Sequence, residues 1–167
     1  IKRTNNEDSF LVMESKNLYA VADGMGGHSS GEIASKIAVE TISDFFRNSE
    51  ISEDSTWPYA YYDNISFEGN KLKTAVAVAN EKIQEYAAQH PESRGMGTTV
   101  VAVLVLDSRL ILCHVGDSRC YLLRDGKLSL VTSDHSWVNE QVKLGFLTEE
   151  EAQKHPFRNV ITKALGT

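Results

Sequence analysis

The stretch VADGMGGHSSGE, from Val21 to Glu32, ends an apolar run on one carboxylate, Asp23, and then carries almost no side chain until a helix begins. Acidic residues stand at two further strand edges: Glu7 and Asp8 precede the first apolar segment, and Asp117 follows HVG. Each of these alone fits a turn as well as a site. Asp23 differs, because Asp-Gly followed by Gly26-Gly27 leaves the carboxylate unshielded and main-chain carbonyls within reach. Hard divalent cations such as Mg²⁺ and Mn²⁺ take such donors: carboxylate oxygen, peptide carbonyl and retained water. The glycines are not a P-loop, since no Gly-Lys-Ser/Thr closes them. They are not a dinucleotide fingerprint either, where Asp23 would oppose a pyrophosphate. His28 is open to three readings: a metal ligand, a proton donor or a loop residue.

The elements that must hold these residues can be read from the pattern. SFLVME (Ser9–Glu14) and LYAVAD (Leu18–Asp23) predict two short strands joined through SKN as a hairpin. Ile33, Ala34, Ile37, Ala38, Ile42, Phe45 and Phe46 recur at helical spacing, as do Leu72, Ala75, Val76, Ala79, Ile83, Tyr86 and Ala87. Two amphipathic helices follow, each with one stripe to bury. Between them lies an insertion rich in Trp57, Tyr59, Tyr61, Tyr62 and Phe67. Its aromatics either pack under a loop or present a patch to a partner. From Thr98, the segments TTVVAVLVL, RLILCHVG, SRCYLLRDG and KLSLVT predict an antiparallel meander of four strands. Strands, two helices, then strands indicate an α+β fold rather than alternating βαβ units. The stretch from Ser136 returns to helical composition, broken at Gly145, with Thr148 as an N-cap, Glu151 three residues on and Pro156 as a stop.

At 167 residues the chain fits one domain, and its net charge of -6 argues against nucleic acid or an acidic membrane surface as a partner. The longest apolar stretch, near Val100–Leu106, is far too short to cross a bilayer. No signal peptide is visible, and the opening IKRTNNED lacks Met, so a trimmed start is expected. Cys113 and Cys120 read as two small buried thiols in a reducing compartment, with a disulfide as the alternative. A cytoplasmic monomer is therefore expected.

Seven blocks resemble one known family in their order. They are RTNNED (Arg3–Asp8), ADGMGGH (Ala22–His28), Gly31-Glu32 with Ala34-Ser35, GTT (Gly97–Thr99), HVGDSRCY (His114–Tyr121), TSDHS (Thr132–Ser136) and NVITKALG (Asn159–Gly166). The chain resembles the metal-dependent protein serine/threonine phosphatases of type 2C, in their bacterial form. The resemblance implies an antiparallel β-sandwich flanked by α-helices, a four-layer αββα arrangement, incomplete here at both ends. It implies two Mn²⁺ or Mg²⁺ ions, with a weaker third. Asp23 would bridge the two cations, the Gly24 carbonyl would bind one, Glu7 and Asp8 would hold waters around them, and Asp117 would bind the third. Arg3 would grip the substrate phosphate. Ser136 to about Arg158 would be a flap beside the site.

The implied reaction is hydrolysis of phosphoserine and phosphothreonine on proteins, opposing bacterial-type kinases, by in-line attack of water. Two cations would make that water a nucleophile near neutral pH. The forked donors of arginine suit a phosphate dianion. The sequence departs from the family in two respects. Two further aspartates, in a Ser-Asp-Gly strand end and an Asp-Asn pair, are not among these residues. Met25 also stands where the eukaryotic branch has a histidine after Asp-Gly, so His28 does not inherit a proton-donor role. The expectation is a region of a longer enzyme, the alternative a non-catalytic regulatory or binding domain with the phosphatase fold.

Overall fold

The structure is a computed structural model that describes residues 6–26, 30–48, 57 and 59–167. Strand β1 (Asp8–Met13) runs antiparallel to β2 (Leu18–Met25), with Asp8 opposite Asp23 and Met13 opposite Leu18. Their link is a four-residue connection, Glu14 to Asn17, one residue longer than the expected SKN. Glu14–Lys16 make one 3₁₀ turn, and Asn17 closes it in the left-handed conformation, with its N–H on the Glu14 carbonyl. Helices α1 (Ser30–Asn48) and α2 (Phe67–Gln89) follow, then β3 (Gly97–Thr98), β4 (Val100–Leu106) and β5 (Arg109–Val115). The sheet order is β1-β2-β4-β5, with β3 paired to the end of β2, and every pairing is antiparallel.

The expected meander of four strands is split. Strands β4 and β5 complete the first sheet, whereas β6 (Tyr121–Arg124) and β7 (Lys127–Leu130) form a separate two-stranded sheet. The chain leaves the first sheet at Gly116, whose φ of 102° is a left-handed value that ends the β5 ladder. The fold is α+β with antiparallel sheets, as expected. Helices α3 (Trp137–Lys143) and α4 (Glu149–Lys154) follow the second sheet. At α4 the Thr148 hydroxyl accepts from Glu151 N–H and the Glu151 carboxylate accepts from Thr148 N–H, the capping box anticipated from sequence.

Strand β2 alternates strictly between buried and exposed residues, so it is half-buried rather than buried throughout. Leu18, Ala20 and Ala22 face a core shared with Val100, Ala102 and Leu104 of β4 and with Ala34, Ala38 and Ile42 of α1. Leu72, Ala75, Ala79 and Ile83 of α2 close it. Each fully buried Leu or Ile there is worth roughly 1.5–3 kcal/mol. The other face of the sheet is apolar as well: Phe10, Val12, Tyr19, Val21, Val105 and Leu110 are exposed. A sheet with apolar side chains on both faces is composed for a second covering layer, as in a sandwich.

The insertion between the helices is anchored by a buried side chain. Asn70 accepts from Tyr62 N–H at 2.9 Å and donates to the Tyr62 carbonyl at 3.0 Å. Trp57 packs edge-on against Tyr61 and Phe67, and Tyr59 lies against Phe45, while Tyr59, Tyr61 and Tyr62 stay exposed. Cys113 and Cys120 are free thiols, and burial raises the Cys113 pKa. Among the described residues, no helix is long and apolar enough to cross a membrane.

The start of α1 sits directly on the end of β2. A Cβ on Gly31 would lie 2.8 Å from the Gly24 carbonyl carbon and the Met25 nitrogen, and one on Gly24 would lie 2.6 Å from the Glu7 oxygen. Main chain cannot yield as a flexible side chain can. Gly31→Ala is therefore expected to cost about 1–3 kcal/mol, with the melting temperature falling roughly 2–4 °C for each kcal/mol in thermal unfolding. Gly69→Ala is the control, since its Cβ meets nothing closer than 3.4 Å within α2 and the change should be neutral or stabilising.

Candidate metal centre

Main-chain and side-chain hydrogen bonds assemble the end of the sheet. Gly24 N–H donates to the Glu7 carbonyl at 3.0 Å, which sets Glu7 beside the turn after Asp23. The buried Ser35 hydroxyl of α1 donates to the same carbonyl at 2.7 Å, so the helix also holds Glu7. Because Glu7 and Gly24 exchange that bond, the next opposed pair, Asp8 and Asp23, lies between ladder hydrogen bonds, where side chains approach most closely. Like charges directly opposed on one face of a sheet repel.

Thr99 joins Asp23 to the neighbourhood of Asp117. Its N–H donates to the Asp23 carbonyl at 2.9 Å, and its Oγ1 accepts from Asp23 N–H at 3.1 Å. The same Oγ1 lies 2.7 Å from Ser118 Oγ. One buried threonine thus ties the end of β2 to the connection after β5. Glu7, Asp23, Gly24, Thr99, Asp117 and Ile161 consequently line one cavity of about 300 Å³.

The structure brings together four of the six sequence-predicted site residues: Glu7, Asp23, Gly24 and Asp117. Asp8 shares the sheet face of Asp23 but lines a neighbouring groove between β1 and α1. Arg3 lies outside the described residues, as does His28. Among the described residues, no three His, Cys, Asp or Glu side chains cluster closely enough to hold one ion by themselves. The glycines also do a job that the sequence reading missed. Gly24 and Gly31 are there for the contact of helix on strand as well as for access to Asp23.

A second cavity, of about 460 Å³, opens between the β6–β7 sheet and helices α3 and α4, and shares Asp117 with the first. Arg119, Asp134, Asn139 and Arg158 are on its walls. Arg119 forks onto Asp134, with Nε 3.0 Å from Oδ1 and a terminal nitrogen 2.7 Å from Oδ2. Its hydrogen bonds to Asp134, then to Tyr121, hold the guanidinium still more firmly protonated. This fork, with Cys120 N–H on Thr132 Oγ1, lays the TSDHS block along the HVGDSRCY block. Thr99, Ser35 and Ser118 were not assigned roles from sequence. Thr99 lay in a quoted block, but nothing in the linear pattern tells a bridging hydroxyl from a strand residue.

Residues 1–165 match the family model described as Protein phosphatase 2C. The chain belongs to the protein phosphatase 2C family. It is 37% identical to the protein phosphatase PhpP of Streptococcus pneumoniae, over 99% of this chain and 63% of that one. The crystal structure of the Mycobacterium tuberculosis serine/threonine phosphatase PstP superimposes with a TM-score of 0.82 at 38% identity, over 99% of this chain and 64% of that one. A structure of the PstP catalytic domain in complex with two manganese ions gives a TM-score of 0.75 at 37% identity, over 99% and 63%. This protein phosphatase 2C chain spans less than two thirds of the length of these relatives.

Thr99→Val keeps the shape of the side chain and removes the acceptor of Asp23 N–H and the Ser118 contact. The variant is expected to lose about 1–3 kcal/mol of unfolding free energy, the cost of a buried donor deprived of its partner. Amide exchange at Asp23 should accelerate while exchange at Val101–Leu104 stays slow, a pattern that mass spectrometry or NMR can read.

Proposed function

We propose that this domain hydrolyses phosphoserine and phosphothreonine esters on proteins at a binuclear Mn²⁺ or Mg²⁺ centre, opposing bacterial-type serine/threonine kinases. The observation that carries the reading is the convergence of Glu7, Asp23, Gly24 and Asp117 on one cavity in a chain of this family. Carboxylate and peptide oxygens are donors that hard divalent cations accept, so these residues fit such ions. The two manganese ions in the structure of the PstP catalytic domain support the same reading. Further donors are needed, because no three acidic or imidazole groups cluster among the described residues. That scarcity is also the one observation favouring the second reading, a phosphatase-fold domain that binds without turnover.

In the catalytic reading, Asp23 and the Gly24 carbonyl would hold the cations, Glu7 and Asp8 would orient water around them, and Asp117 would hold a further, weaker cation. Arg3 clamps the phosphate with its forked donors. When bound, the cations neutralise phosphoryl oxygens and lower the pKa of the attacking water. The water oxygen forms a bond to phosphorus as the bond to the serine or threonine oxygen breaks, and inorganic phosphate and the free hydroxyl are released. The segment 136–158 acts as a flap whose cavity receives the polypeptide around the phosphorylated residue. Free Cys113 and Cys120 suit a reducing compartment, and a cytoplasmic monomer acting on phosphoproteins is the corresponding setting.

In the segment 136–158, Leu144 and Phe146 are exposed, and Trp137 packs against His155 and Phe157. Val138 is the only buried apolar residue of α3 and α4. So small a buried set favours low-energy local opening.

Two experiments on the full-length protein test the proposal. Phosphopeptide hydrolysis should vanish in excess chelator and return with Mn²⁺, and Asp23→Asn should stay folded while losing most cation binding and turnover. Persistent turnover in chelator would exclude the metal mechanism, while folded, metal-loaded protein without turnover would favour the binding-domain reading. Exchanging residues 136–158 for those of a relative should change relative rates among phosphopeptides and leave hydrolysis of a small aryl phosphate nearly unaltered. Equal effects on both substrates would remove the flap assignment.

A further inference from the structure

Gly116, the residue before Asp117, is gripped twice by one residue far along the chain. His135 N–H donates to the Gly116 carbonyl at 3.0 Å, and Gly116 N–H donates to His135 Nδ1 at 3.1 Å. Main chain and side chain of His135 therefore satisfy both polar groups of Gly116. The buried glycine is also pinned from its other side, since a Cβ there would lie 2.7 Å from Thr99 Cγ2. With both flanks occupied and φ at 102°, the chain has little freedom in how it presents Asp117 to the cavity.

The imidazole is itself held in place. It stacks on the His114 ring with centroids 4.8 Å apart and planes 11° from parallel, and His114 Nε2 is 3.0 Å from the Ser133 carbonyl. The His135 carbonyl accepts from Thr162 N–H at 2.8 Å, next to Ile161 on the cavity wall. Accepting a proton from Gly116 N–H requires a lone pair on Nδ1, so the bond exists only for the neutral ring protonated at Nε2. The surroundings favour that form. Burial lowers the His135 pKa, with smaller contributions from His114, Lys163 and Lys143, against an opposing one from Glu140.

We propose that His135 is a positioning residue, which clamps Gly116 and thereby fixes Asp117 at the mouth of the cavity. It touches neither substrate nor the reacting atoms. The clamp stands on geometry alone, whereas its consequence for cation binding rests on the reading of the cavity as a metal centre. The chemistry resembles that of an outer-shell group, which orients a ligand without contacting the ion.

The test compares His135→Leu and His135→Asn in the full-length protein. Asn Oδ1 occupies the place of Nδ1 in the side chain and can accept from Gly116 N–H, whereas Leu cannot. In metal-free protein, Gly116 amide exchange should rise about tenfold in the Leu variant and stay near the wild-type rate in the Asn variant, as expected for one lost hydrogen bond. Mn²⁺ titration by calorimetry should show the Leu variant weakened roughly tenfold at the site that Asp117→Asn also weakens, with Asn restoring it and KM for a phosphopeptide unchanged. Should His135→Leu fail to fold, ¹⁵N shifts of the wild-type ring decide the matter: Nδ1 must be unprotonated at neutral pH. A ring protonated at Nδ1, or equal Gly116 exchange in both variants, overturns the clamp. Faster Gly116 exchange with unchanged Mn²⁺ affinity overturns the role of the clamp at Asp117. Neither result depends on whether the wild-type protein turns over a phosphopeptide.

Discussion

The contact of α1 on the end of β2 is the constraint from which the rest of the candidate site follows. Two glycines, Gly24 and Gly31, remove the side chains that would hold helix and strand apart. With the gap closed, Ser35 reaches the Glu7 carbonyl, and that carbonyl also takes the Gly24 N–H. The acidic start of β1 and the acidic end of β2 are thereby brought level. A larger residue at either glycine would move the helix outward and loosen both bonds.

Thr99 extends this junction across the sheet. Its main chain and hydroxyl both address Asp23, and the hydroxyl also meets Ser118. Residues from three distant parts of the sequence therefore share one corner of the fold.

The two faces of the sheet differ in what they have been given to pack against. The inner face is filled by small residues of α1 and by α2. The outer face bears Phe10, Val21 and Leu110 in exposed positions, although their chemistry suits burial. Asp23 is the polar end of that outer row, so its position is decided by the same alternation that places Tyr19 and Val21. The β6–β7 sheet stands apart because the left-handed Gly116 turns the chain away from β5.

The sequence by itself determined the elements whose cause is local. The spacing of Ala34, Ala38 and Ile42 makes α1 an amphipathic helix, and Thr148 with Glu151 caps α4 through four consecutive residues. The ordered blocks around Asp23 and Asp117 were legible for the same reason, since glycine and aspartate side by side mark a strand end. Tertiary structure alone decided which strands share a sheet. Both β5 and β6 are apolar segments in the sequence, and the connection that leaves the first sheet at Gly116 separates them. It alone gave Thr99 and His135 their roles, because a hydroxyl or imidazole acquires a partner only when segments 19 to 76 residues distant come within 3.1 Å. It also set Trp137 against His155 and Phe157, a choice among apolar neighbours that periodicity cannot make. Local order is written in short-range sterics and hydrogen bonding, whereas pairing between distant segments depends on the packing of the whole chain.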